Sequence, residues 1–187
     1  GNEAMGMCPA TIKQLVTMAA NAVSGKAYGK CPTTLIWLGL GPQNDPRIKY
    51  CLDQLKMWFE LKDSLDSIDV SRAWWKARQA YMLSPHPWST IKGLTGATIG
   101  ALDIMGWNGI TPYKWIDTNG DTWEQSQTTM YQELLADAKV QLELKIWEEA
   151  SHHRHGDGLQ GGADLTIPRK FEAWLTKTGQ ASDIGLL

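Results

Sequence analysis

Apolar residues recur at helical spacing along most of this chain and alternate with a strand-like period only near its middle. Pro9 suits the first turn of a helix running to Gly25, with Ile12, Leu15, Val16, Ala19 and Val23 on one face and Gly25 as a natural C-cap. The run 32–41 carries a short helical turn whose Leu35, Ile36 and Leu38 look fully buried. Asp45 and Pro46 supply the N-cap and first position of a long helix, with Ile48, Cys51, Leu52, Leu55, Trp58, Phe59 and Lys62 on its stripe and an end near Asp66. Another helix spans Ser71 to Leu83 and turns Trp74, Ala77 and Tyr81 inward, with Trp75 a further candidate for that face. Pro85 and Pro87 stop it, so residues 84–89 read as a linker. The helix from Thr90 to Met105 is interrupted by Gly93, Gly96 and Gly100, each costing roughly 1 kcal/mol relative to Ala, so something must approach its backbone closely.

The period changes to two at Tyr113, Trp115 and Asp117 and again at Asp121 and Trp123. This predicts a β-hairpin whose loop, Thr118 to Gly120, sets Trp115 opposite Trp123. A cross-strand aromatic pair of this kind contributes roughly 0.2 to 1 kcal/mol. The longest helix follows, from Ser126 to Ser151, with Tyr131, Leu134, Leu135, Ala138, Leu142, Ile146 and Trp147 on its apolar side. Gly156, Gly158, Gly161 and Gly162 then make a loop, and a last helix runs from Ile167 to Lys177 with Gly179 as its cap. The expected fold is mainly α, an irregular bundle of about six helices with one small β-hairpin near residues 112–124. Its parts are an N-terminal helical subdomain (1–84), a Gly-rich helix, hairpin and long helix (85–155), and a loop with a C-terminal helical arm (156–187), all in one globular unit.

Composition adds ten tryptophans against two phenylalanines, which suggests a core built from large plates or surfaces that receive something. A length of 187 residues suffices for a substantial core. With 18 Lys and Arg against 20 Asp and Glu, no chain-wide attraction to phosphate exists, and a nucleic-acid role needs a local patch. Cys8, Cys31 and Cys51 are odd in number and widely spaced, arguing against a disulfide framework or zinc site and for buried thiols in a reducing compartment. No stretch reaches the roughly 20 apolar residues that span a bilayer, so a soluble, intracellular protein without membrane insertion is expected. A chain opening on Gly1 fits a processed product or a piece of something longer.

Candidate chemistry is sparse. Asp117-x-Asn119-Gly120-Asp121 resembles the start of a calcium loop, but Thr122 and Thr128 stand where Gly and a bidentate Glu are required, which favours a plain turn. His152, His153 and His155 beside Asp157 contain metal-ligand types, yet adjacent histidines at a helix end diverge, and a solvated helix C-terminus is favoured. Close packing against a tryptophan or another helix is the favoured reading of the Gly93, Gly96 and Gly100 face. Arg72, Lys76 and Arg78 beside Trp74 and Trp75 form the best combination of cations and aromatic plates, the pairing single-stranded nucleic acid uses. An ordinary charged helix face is its bland counterpart. Trp74 and Trp75 cannot both face the same way on a helix. No phosphate loop, nucleophile elbow, zinc helix or paired carboxylates occur, so no catalytic residue and no cofactor is assigned.

Several short pieces form an ordered series: Cys31-Pro32-Thr33-Thr34, Asp45-Pro46, Pro87-Trp88, Gly106-Trp107, Pro112-x-x-Trp115-x-Asp117, and Gly156-x-Gly158-Leu159-x-Gly161-Gly162-Ala163-Asp164. This series resembles the region downstream of the reverse transcriptase palm in non-LTR (LINE-type) retrotransposon polyproteins, especially those of dinoflagellate genomes. The resemblance covers nearly the whole chain and implies a thumb or connection region. No Tyr/Phe-x-Asp-Asp motif is present, so polymerase activity is not carried over. What the resemblance implies is a noncatalytic helical segment that helps position RNA or single-stranded DNA, in nucleus or cytoplasm, with Arg72, Trp74, Trp75, Lys76 and Arg78 as contacts. The alternative is a small helical scaffold, a subunit of a larger assembly that uses Trp anchors against other proteins.

Overall fold

Local signals place most of the helices in the computed structural model, which describes residues 6–25, 29–124, 130–153 and 156–177. Among these, the α-helices are α1 (Pro9–Ser24), α2 (Pro32–Gly39), α3 (Pro46–Lys62), α4 (Ser67–Leu83), α5 (Gly93–Met105), α6 (Met130–Ser151) and α7 (Thr166–Lys177). An antiparallel sheet in the order β1 (Asn108–Thr111), β2 (Lys114–Ile116), β3 (Thr122–Glu124) lies between α5 and α6 in sequence. The fold is therefore mainly helical with a small β element, as the hydrophobic pattern predicts. The predicted start of the longest helix at Ser126 and the predicted cap at Gly179 lie outside the described residues. No helix among the described residues is long and apolar enough to cross a membrane.

The chain divides into two compact units: residues 1–12 with 47–142, and residues 13–46 with 143–187. In the first, α4 begins earlier than the predicted Ser71 because the Asp66 carboxylate accepts the backbone N–H groups of Ile68 (2.9 Å) and Asp69 (3.3 Å). That cap satisfies donors no preceding turn can reach. Helix α5 starts at Gly93 rather than Thr90, because Pro87–Thr90 forms a 3-10 turn. It is the most enclosed helix, every residue from Gly96 to Leu102 being buried. The predicted close approach is made at Gly96 and Gly100, by Ile91 and Trp88, but not at Gly93, where a Cβ would meet nothing within 4 Å and which opens the helix with a positive φ of 60°. A Cβ at Gly100 would fall 2.6 Å from Ile91 Cδ1 and 2.9 Å from Trp88 Cζ3, and one at Gly96 would fall 3.3 Å from Ile91 Cα.

The predicted cross-strand register holds, with Trp115 directly opposite Trp123. The hairpin is extended to three strands by β1, which pairs Gly109 with Trp115 and carries a bulge between Gly109 and Thr111. Trp115 and Trp123 send their rings to different partners. Trp115 is fully buried and stacks on Trp74 (6.3 Å between centroids, 13° between planes), while Trp123 stacks on Trp107 (6.3 Å, 5°). Trp58 adds a tilted contact with Trp74 at 5.1 Å and donates its indole N–H to the Pro112 carbonyl at 3.1 Å, tying α3 to the β1–β2 turn. Lys62, at the end of α3, is buried, with its ammonium 2.6 Å from Asp63 and about 5.5 Å from the centre of the Tyr113 ring.

In the second unit, α2 completes two turns and buries Thr33, Ile36 and Trp37. Leu35 and Leu38, expected to be fully buried with Ile36, are only half-buried. Trp37 takes the inward position because its indole N–H donates to Asp45 at 3.0 Å and its ring meets Trp147 edge-on at 4.8 Å. Of the three thiols expected to be buried, only Cys51, in the first unit, is. Cys8 and Cys31, each directly before the proline that opens a helix, are half-buried.

Candidate nucleic-acid interface

Helix α4 presents two faces of different chemistry. Its inward face carries Val70, Trp74 and Tyr81, all buried. The outward face follows from the same 3.6-residue period and carries Ile68, Arg72, Trp75 and Met82, all exposed, with Lys76 beside them. Trp74 is completely enclosed between Trp58 and Trp115, so it belongs to the core and cannot stack on a base. Trp75 is 50% exposed. The pair thus divides as helix geometry requires, and the surface cluster contracts to Arg72, Trp75, Lys76 and Arg78.

Arg78 sits at the border between the faces and serves both. Its guanidinium carbon lies 5.8 Å from the centre of the Trp75 ring, and its Nη2 donates to Asn108 Oδ1 on β1 at 3.3 Å. A planar cation held over an indole face is attracted by the ring quadrupole and keeps its remaining donors free for an anion. Arg72 pairs with Asp69 at 3.1 Å, one turn away, with both side chains about three-quarters exposed, an arrangement worth little in water.

Beside Arg78, residues of α4, α5 and β1 line an open depression of about 270 Å³. Tyr81, Asp103 and Asn108 come together there, although no sequence motif singles them out. Tyr81 donates its hydroxyl to Asp103 Oδ2 at 2.8 Å. Burial first, and then the Asp103 carboxylate, push the Tyr81 phenol well above its ordinary value, so it remains a donor at any physiological pH.

The calcium-like segment is a turn. Asp117 Oδ1 accepts the backbone N–H groups of Asn119 (2.8 Å) and Asp121 (2.9 Å), while Oδ2 accepts the Trp123 indole (3.1 Å) and the Gln141 amide (3.0 Å). Gln141 Oε1 in turn accepts the Trp107 indole at 2.8 Å and the Thr118 hydroxyl at 2.7 Å. Both oxygens of Asp117 are therefore committed to holding the β2–β3 turn against α6. In the second unit, Glu148, Ser151, His152, His153 and Asp157 line an open depression of about 820 Å³. His152 Nδ1 lies 2.8 Å from the Glu148 carbonyl, and His155 is outside the described residues. No three His, Cys, Asp or Glu side chains are grouped for a metal among the described residues. No family model, curated protein or solved structure matches the chain.

Proposed function

We propose that the chain is a noncatalytic helical module that positions single-stranded nucleic acid, in the manner of the retrotransposon thumb or connection region it resembles. One observation carries this reading: a half-exposed indole, Trp75, held under the Arg78 guanidinium and flanked by the exposed Arg72 and Lys76 on a rigid helix. Stacking a base on an aromatic plate and neutralising the neighbouring phosphates are the two interactions by which proteins grip single strands without reading their sequence. The ordered series of short motifs supports the same reading from the other direction. Fluorescence anisotropy with a labelled single-stranded RNA at low salt tests it. The expected result is salt-sensitive binding that Trp75→Ala weakens by about 1 to 3 kcal/mol, the worth of one stacked base. No binding, or binding indifferent to salt and to Trp75, overturns it.

A second reading has its own observation. Ile68, Trp75 and Met82 recur every seven residues along the outer face of α4 and are 67%, 50% and 64% exposed. Such a stripe suits a protein partner, with Trp75 as its anchor, in a scaffold or subunit role. Native mass spectrometry of complexes recovered from the source organism separates the two, since a scaffold retains a stoichiometric protein partner after nuclease treatment.

A further inference from the structure

We propose that α7 is an interfacial helix that lies flat on an anionic lipid surface, with Ile167 and Trp174 entering the headgroup boundary and Lys170 and Lys177 at its rim. The proposal stands apart from the nucleic-acid reading, since α7 belongs to the second unit and α4 to the first. Every side chain described on α7 is exposed, Ile167 at 74% and Trp174 at 53%. Leu165 is buried immediately before it, so the chain leaves the core as the helix begins. A helix of 12 residues is marginal in water unless one of its faces is covered, because so short a ladder of hydrogen bonds barely offsets the ordering of its first turn.

The pattern along α7 defines the face to be covered. Its sequence separates apolar from polar positions more sharply than that of any other α-helix described. At about 100° per residue, Ile167 and Trp174 fall within about 20° of one another along one edge, and Lys170 and Lys177 run beside them, about 60° to 80° away. In sequence the apolar period continues at positions 171 and 175, a Phe and a Leu. Arg169, Lys170 and Lys177 stand against the single acid Glu172, so the segment is cationic in a chain whose net charge is −2. That combination selects the occupant. Nucleic acid supplies the negative charge but no apolar layer to receive Ile167. An anionic bilayer supplies both: an acyl boundary just below a sheet of negative charge, where an indole sits at headgroup level and lysine stems cover apolar surface while their ammonium groups stay among the headgroups. At 1.5 Å per residue α7 is about 18 Å long, too short for a hydrocarbon core of about 30 Å, so it lies on the membrane and not across it.

Co-sedimentation of the whole chain with vesicles of phosphatidylcholine alone, and of phosphatidylcholine mixed equally with phosphatidylserine, tests the proposal. The expected result is at least tenfold tighter partitioning onto the anionic vesicles, weakening as salt rises. Ile167→Glu and Trp174→Ala should each weaken it at least fivefold. Lys170→Gln with Lys177→Gln should weaken it and flatten its salt dependence, and all these changes should leave the melting temperature unchanged because the side chains are exposed. Glycerophosphoserine, the same headgroup without acyl chains, should not displace the protein at equal headgroup concentration; displacement would mean that the site takes a free phosphate and would overturn the membrane reading. No partitioning, or equal partitioning onto both vesicles, also overturns it and leaves the face to a protein partner. Partitioning that survives the α7 changes but falls with Arg72→Gln and Lys76→Gln overturns it by putting the lipid on α4. RNA binding should be the same for the wild type and Ile167→Glu. If vesicles fail while RNA binds, the positioning function survives without this proposal, and if vesicles bind through Ile167 while no RNA does, α7 stands and the positioning function fails.

Discussion

Two carboxylates that share one amide, Asp117 and Asp137, are pushed by the fold in opposite directions from their ordinary values. Burial alone would raise Asp117, but the hydrogen bonds from Trp123, Gln141, Asp121 and Asn119 outweigh it, and its carboxyl lies below the usual range. Asp137 is pushed up by its own burial and by the negative charge of Asp117, against a hydrogen bond from Gln141. The two therefore act on stability with opposite sign. Asp117 has a folded value below its unfolded one, so its contribution is complete above the ordinary carboxylate range near about 3.9 and is lost as pH falls through the depressed value. Asp137 binds its proton more readily when folded, so it subtracts stability at neutral pH and is relieved as pH falls through the raised value. Asp117→Asn should lower stability at pH 7 by about 1 to 3 kcal/mol, since it turns an amide donor toward N–H groups that need an acceptor. Asp137→Asn should raise it slightly. Urea unfolding at pH 7 and pH 3 checks both, and an Asp117→Asn protein that loses as much stability as the wild type on acidification would show that this carboxylate is not what acid attacks.

The elements of the first unit meet where small residues permit it. Gly109 on β1 faces the core opposite Trp115, and a Cβ there would fall 2.6 Å from Trp74 Cζ2 and 2.8 Å from Leu102 Cδ1. Trp74 cannot yield, being fully buried between Trp58 and Trp115. Gly109→Ala should therefore cost about 1 to 3 kcal/mol by overpacking, read as a lower melting temperature. A melting temperature at or above that of the wild type would mean that the indole has room to move. The same strand shows where pattern reading stops. The β2–β3 register follows from the alternation of Trp115 and Trp123 about Asn119-Gly120, whose chemistry names the turn. Strand β1 escapes that logic because Asn108-Gly109-Ile110-Thr111 has neither alternation nor β-propensity at its first two positions, and tertiary packing against Trp74 makes it a strand. Helix α4 shows a smaller lapse of the same kind. Its stripe was visible from Trp74 and Tyr81, but Asp66 caps it ahead of the point where the stripe becomes regular.

Over the whole chain the net charge is −2, so any grip on nucleic acid must come from where the cations sit rather than how many there are. The cluster on α4 was legible because cations and tryptophans are neighbours in sequence. The stripe turned Trp74 inward but left the side taken by Trp75 open, and Trp58 and Trp115, arriving from other elements, are what enclose Trp74 and leave Trp75 outside. The depression beside it was invisible for a stronger reason: Arg78, Asp103 and Asn108 lie on three elements and each looks ordinary in its own. The surface that remains makes a quantitative prediction. Arg72, Lys76 and Arg78 can neutralise at most three phosphates, and a single strand gives a slope of about −0.7 in log K against log salt for each, so the slope should be about −2. Affinity should fall in the weak, non-specific range of roughly 10⁻⁴ to 10⁻⁶ M. Replacing Arg72 and Lys76 together by Gln should reduce the slope to about −0.7 while leaving the melting temperature unchanged, since both side chains are exposed. Trp75→Ala should do the reverse, weakening binding at every salt concentration without altering the slope, because a stacked base releases no counterion. A slope much steeper than about −2 would place the nucleic acid on cations elsewhere in the molecule, and a Trp75→Ala change that altered the slope would mean that Arg78 needs the indole beneath it to reach the phosphate.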